Sequence, residues 1–166
     1  FYGVSKGFAM TGWRLGYIGA PTWIAAACTK IQGQFTSAPC SITQAASAAA
    51  LEADPSMVQS MVEAFRRRRA LMVEGLSKVP GFNVNQPMGA FYVFPDVSAL
   101  FGKSCNGKRI ENADDVAFFL LEEAKVATVS GAAFGTPECV RLSYAAADDV
   151  LAEAVRRIDE ACRKLS

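Results

Sequence analysis

The spacing of apolar and polar positions divides this chain into short strands and longer helices. The run RLGYIGAP, residues 14–21, reads as a buried strand stopped by Pro21. Helical patterns follow at about residues 22–32 and 41–53, the second very rich in alanine. Asp54-Pro55 has the form of an N-cap followed by a first-turn proline. From there Met57, Val58, Met61, Val62, Phe65, Met72, Val73 and Leu76 recur at helical spacing. They predict one long helix to about Lys78, ended by Pro80-Gly81. The pattern then changes. Residues 82–84 and 89–94 read as short strands, the latter aromatic and β-branched, and 101–111 as an exposed loop. Asn112 can cap a helix reaching about Lys125, with Asp114 and Asp115 in the first turn, where acids suit the helix dipole. Residues 126–129 and 140–144 are strand candidates. A final helix from about Ala147 carries the apolar stripe Val150, Leu151, Ala154, Val155, Ile158, Ala161, Cys162 and Leu165.

Strands and helices mixed in this way indicate α/β or α+β architecture. The helix from Asp54 is the natural boundary: residues 1–53 end one domain, 54–79 form a connecting helix, and 80–166 make a small α+β unit. Phe1 begins abruptly inside a strand-like segment without Met, so the expectation is a fragment lacking its N-terminal part. Composition narrows the function. With 51% apolar and 20% charged residues the chain suits a soluble globular core, and a net charge of +1 gives a general polyanion-binding role no support. The run Arg66 to Arg69 does not alter that, because four consecutive helical positions spread around the circumference; a solvated helix surface is expected. Five scattered cysteines without a C-x-x-C pair read as reduced, mostly buried thiols in a cytoplasmic protein. The absence of histidine removes His-based triads and most transition-metal sites. For Asp114-Asp115 and Glu122-Glu123, capping and solvent-facing roles suffice, and no metal is expected. No apolar run has transmembrane length, and no signal peptide is evident.

The candidate chemistry begins with FYGVSKGFAMTGWRLGYIGAP. Lys6 and Arg14 are the only charged side chains before Lys30, and neither has a sequence-adjacent acid. Cations in apolar surroundings are costly unless an anion compensates them, and that anion can be a ligand.

The pattern Ser5-Lys6 followed by Thr11-Gly12-Trp13-Arg14-Leu15-Gly16-Tyr17 resembles the lysine motif of fold-type I, pyridoxal-phosphate-dependent aminotransferases of the aspartate aminotransferase superfamily. The resemblance implies that Lys6 carries pyridoxal 5'-phosphate as a Schiff base and that Arg14 binds its phosphate. A Schiff base needs an uncharged amine at the moment of attack, which apolar surroundings and a nearby cation favour. Arginine meets a phosphate with a planar fork of donors. Many family members carry a phosphate-binding hydroxyl three residues before the lysine; here Gly3 stands there.

A second stretch, SGAAFGTPECVRLSYA over 130–145, resembles the family's C-terminal signature, with Ser130 where proline is commoner. It implies that Arg141 binds the substrate α-carboxylate. The structural alternative is a strand arginine paired with Glu138 or Asp148. Residues 87–95, PMGAFYVFP, resemble a small-domain strand of the same enzymes, with Phe91, Tyr92 and Phe94 read as core. Residues 32–46 also resemble family members, which place this loop near the neighbouring subunit's active site. Together these imply α/β architecture: the end of the large fold-type I PLP-transferase domain plus a small α+β C-terminal domain. They also imply a homodimeric aminotransferase acting on an amino acid, aspartate or aromatic, and a 2-oxo acid. In the implied mechanism Lys6, once displaced, shuttles the proton between Cα and the cofactor's C4′. The same motifs serve Cβ–S lyases of this fold, and aminotransferase-like sensor domains of transcription regulators are the alternative from another class.

Overall fold

In the computed structural model, which describes residues 1–166, the first segment folds back on itself. Strand β1 (Tyr2–Gly3) pairs antiparallel with β2 (Gly16–Tyr17), setting Tyr2 opposite Tyr17 and Gly3 opposite Gly16. The two tyrosine rings stack at 5.5 Å. Between the strands lie the single turn α1 (Val4–Gly7) and a 3₁₀ turn, Thr11–Trp13. The expected buried strand over 14–21 is therefore two residues long and exposed. A two-stranded ribbon has no second layer of its own to cover it. Helices α2 (Thr22–Phe35) and α3 (Ser41–Glu52) follow, α2 running three residues beyond its predicted end at Gln32.

Contacts divide the chain into two compact units, 1–61 and 62–166, with the division in the first turn of α4 (Gln59–Leu76). The first unit is thinly cored. Its buried side chains are Val4, Thr43 and Ser47, whereas Trp23, Ile31, Phe35 and Ile42 are exposed. Asp54 does cap, accepting from the Ser56 N–H at 2.8 Å, but what it caps is a 3₁₀ turn, Pro55–Val58, ahead of α4. The predicted single helix is thus split at its start.

The second unit holds the hydrophobic core. Strands β3 (Tyr92–Val93), β6 (Val129–Ser130) and β7 (Val140–Ser143) form an antiparallel sheet in the order β3-β7-β6. Tyr92 lies opposite Ser143, Val93 opposite Leu142, and Val129 opposite Arg141. Alternation gives the sheet two unlike faces. Val93, Val140 and Leu142 turn inward, onto a core that includes Met72 and Leu76 of α4 and Leu151 and Ile158 of α6 (Asp148–Cys162). Tyr92, Val129, Arg141 and Ser143 share the other face. The expected strand over 82–84 is reduced to one bridge, Asn83 to Asp96.

Two further expectations are corrected. Residues 101–111 contain a hairpin, β4 (Ser104–Cys105) with β5 (Lys108–Arg109), joined through Asn106 and Gly107 at φ 49° and 78°. Positive φ at both central positions is the turn that matches strand twist, and Asn-Gly is its commonest sequence. Asn112 caps α5 (Ala113–Phe119) as expected, but the remaining turn to Ala124 is a π-turn closed by Lys125 at φ 57°. In α6, Val150 leaves the predicted stripe and is exposed. No helix is long and apolar enough to cross a membrane.

Candidate active site

Lys6 and Arg14 stand on the loop that the β1–β2 pairing closes, Lys6 just after Gly3 and Arg14 just before Gly16. Val4, fully buried, anchors the start of this loop, and the Ala9 N–H donates to the Lys6 carbonyl at 3.2 Å. Two non-glycine residues within it are left-handed, Ala9 at φ 54° and Arg14 at φ 53°. Such conformations cost of order 1–3 kcal/mol each and concentrate at functional sites. The Arg14 guanidinium donates to the Thr11 carbonyl at 3.0 Å, which ties it across the 3₁₀ turn. That bond uses one of its five N–H donors. Lys6 and Arg14 are both exposed, so the apolar surroundings expected of them are not met within this chain.

This donor set fits a phosphorylated aldehyde. A primary amine can condense with the carbonyl, and a guanidinium with uncommitted in-plane donors can take a phosphate. No group of three or more His, Cys, Asp or Glu side chains is arranged to hold a metal ion.

Arg141 lies in the second unit, on the outer face of β7. Neither acid named as its alternative partner reaches it. Asp148 is taken by two other arginines, Arg67 at 2.6 Å and Arg68 at 2.8 Å, whose hydrogen bonds hold its carboxyl down at about 2. Glu138 forms no ion pair, and its backbone carbonyl accepts from the Val97 N–H. The Arg141 guanidinium instead sits 4.4 Å from the Tyr92 ring centroid and 4.4 Å from that of Phe134. Tyr92 is therefore not core, as its motif suggested: it faces the arginine. Period-two spacing put Tyr92 and Arg141 each on an alternating strand, but only the β3–β7 register sets them side by side.

Phe134 arrives on a 3₁₀ turn, Gly131–Phe134, for which Ser130 is the cap: its Oγ accepts from the Ala132 N–H at 3.3 Å. The departure from proline at Ser130 thus has a local function. The arginine run also differs from expectation. Arg67 and Arg68 clamp Asp148, and Arg69 donates to the Pro87 carbonyl at 3.1 Å, so much of the run is engaged inside the unit. Of the five cysteines only Cys139 and Cys162 are buried, each thiol pushed up chiefly by burial, Cys162 to about 12. Cys28 and Cys40 are exposed, against the expectation of mostly buried thiols.

Comparison with known proteins agrees with the motifs. Residues 1–158 match the family described as aminotransferase class I and II. The aspartate aminotransferase of Rhizobium meliloti (strain 1021) is 46% identical over 165 residues, 99% of this chain and 40% of that protein. A bifunctional aspartate aminotransferase and glutamate/aspartate-prephenate aminotransferase of Petunia hybrida is 47% identical over 163 residues, 96% of this chain and 34% of its own length. Among solved structures, the aspartate aminotransferase from Rhizobium meliloti superposes with a TM-score of 0.95 at 45% identity, covering 99% of this chain and 41% of that one. The aromatic aminotransferase from Pyrococcus horikoshii OT3 gives 0.85 at 37% identity, covering 95% and 41%. The chain spans about two fifths of the length of relatives such as these. On the match over residues 1–158, this chain belongs to the class I and II aminotransferase family.

Proposed function

We propose that the intact protein is a pyridoxal-phosphate-dependent aminotransferase that moves an amino group between an amino acid and a 2-oxo acid, with aspartate as the donor. The donor follows the names of relatives 46% and 47% identical to this chain. The observation that carries the reading is the closed β1–β2 loop, which holds one amine and one guanidinium on a strained backbone in a chain of this family. In the same reading the chain is the C-terminal portion of the enzyme. Residues 1–53 end the large domain, 54–79 connect, and 80–166 form the small α+β domain. The enzyme is a cytoplasmic homodimer.

The bound cofactor supplies an electron sink beside the substrate Cα. Everything else falls to side chains. Lys6 would provide the amine that holds the cofactor and would act as the general acid/base that takes and returns the proton at the substrate Cα. Arg14 binds the phosphate, so the cofactor is the anion its sequence surroundings lack. Arg141 takes the α-carboxylate common to amino acid and 2-oxo acid, fixing charge and orientation together.

Borohydride reduction of the intact, cofactor-loaded protein followed by peptide mapping should find the label on Lys6. Lys6→Ala should lose both that label and transamination. A label on any other lysine sinks the assignment.

A further inference from the structure

The two rings on Arg141 carry an inference that rests on its proposed role as the carboxylate ligand. We propose that Tyr92 and Phe134 are positioning residues that hold the Arg141 guanidinium flat between them, so that only its N–H edge is open to a substrate carboxylate. The argument is geometric. A guanidinium is planar, and all five N–H bonds lie in its plane. The Tyr92 and Phe134 ring centroids each lie 4.4 Å from the Arg141 Cζ, close enough for both rings to stack on the guanidinium and leave its in-plane donors uncovered. What remains is the edge, where a carboxylate can be met by two parallel hydrogen bonds. No ion pair engages this arginine, and Asp148 is committed to Arg67 and Arg68, so no internal acid competes for the edge.

Both rings are themselves braced. Phe134 meets Phe94 edge-on, at 6.1 Å and 86°. Tyr92 packs on Phe91 at 4.5 Å, and Phe91 on Phe65 of α4 at 6.1 Å. Phe134 is further fixed by its turn. At Gly131, where that turn begins, an added Cβ would come within 2.6 Å of the Cys139 carbonyl oxygen. The arrangement therefore costs little rearrangement when a carboxylate arrives, which is what preorganisation requires. It also coats the cation in apolar surface, where a charge-assisted pair is stronger than in water.

The test uses the intact, cofactor-loaded protein. Phe134→Leu and Tyr92→Leu should each raise KM for both the amino acid and the 2-oxo acid, roughly 3- to 30-fold if one cation–π face is lost. The change in kcat should be smaller. Calorimetric binding of succinate, which cannot react, should weaken by a similar factor, while the cofactor's absorbance stays as in the wild type. Phe134→Tyr, which keeps the ring, should rescue KM and succinate binding; a purely structural role would give no such ring dependence. Thermal melting shows that each variant folds. If Arg141→Lys weakens succinate binding but both leucine variants bind it as the wild type does, the clamp is overturned while the role of Arg141 stands. If Arg141→Lys itself leaves succinate binding unchanged, the carboxylate assignment fails first. Release of the cofactor by either leucine variant would also overturn the proposal.

Discussion

At the scale of single residues, the informative features are those whose surroundings contradict their chemistry. Arg14 is left-handed at φ 53° and bonded to one carbonyl, so its remaining donors await an acceptor. In the intact protein Arg14→Ala should weaken cofactor affinity by about 2–3 kcal/mol, the worth of a lost charge-assisted hydrogen bond. Equilibrium titration with the cofactor checks this, and an unchanged dissociation constant would remove Arg14 from the phosphate site. Gly131 is decided by space. A methyl group there meets the Cys139 carbonyl oxygen at 2.6 Å, and the obstacle is backbone that cannot swing away. Gly131→Ala should therefore destabilise by about 1–3 kcal/mol, the usual cost of overpacking. Denaturant unfolding would measure it. Because the turn carries Phe134, the same variant should also raise KM, and a fully stable Gly131→Ala protein would show that the loop relaxes freely.

At the scale of elements, α4 and α6 are joined by a charge clamp that the sequence pattern did not suggest. Consecutive arginines 67 and 68 both reach Asp148 at the first turn of α6. Acids are favoured there in any case, because the helix N-terminus is positive. The carboxyl is held at about 2, against an ordinary 3.8. A folded-state value below the unfolded one gives stability that is present above the unfolded value and lost as pH falls through the folded one. Asp148→Asn should accordingly lower Tm at neutral pH, modestly since the pair is partly exposed to water. The gap from wild type should close between about pH 4 and pH 2. A gap that persists at the acid end would mean the asparagine costs packing rather than charge. The β4–β5 hairpin illustrates the opposite case. Its Asn106-Gly107 signal was present in the sequence, but two-residue strands are too short for alternation to announce them.

At the scale of the whole molecule, the two compact units differ in how much of each the sequence determines. In the second unit, long periodic segments such as α6 are legible because an amphipathic helix must bury one stripe, and Leu151, Ile158, Ala161 and Cys162 do so. Lys6, Arg14 and Arg141 are proposed as site residues on another ground: the motifs around them resemble those of the family, and a motif is preserved in the linear order. Pairing was not legible. Alternation says that Tyr92 and Arg141 each lie on one face of a strand, yet nothing local sets the register that brings Tyr92 beside Arg141, or folds the Phe134 turn over it. The same holds for Asp148, which along the sequence lies far nearer Arg141 than Arg67, yet in the folded chain pairs with Arg67 and Arg68. Period and residue type are properties of neighbours along the chain, so the sequence alone determined the helices, the fold class and the candidate groups. Which aromatic faces which cation depends on contacts between residues up to fifty positions apart, and only the tertiary structure decided that.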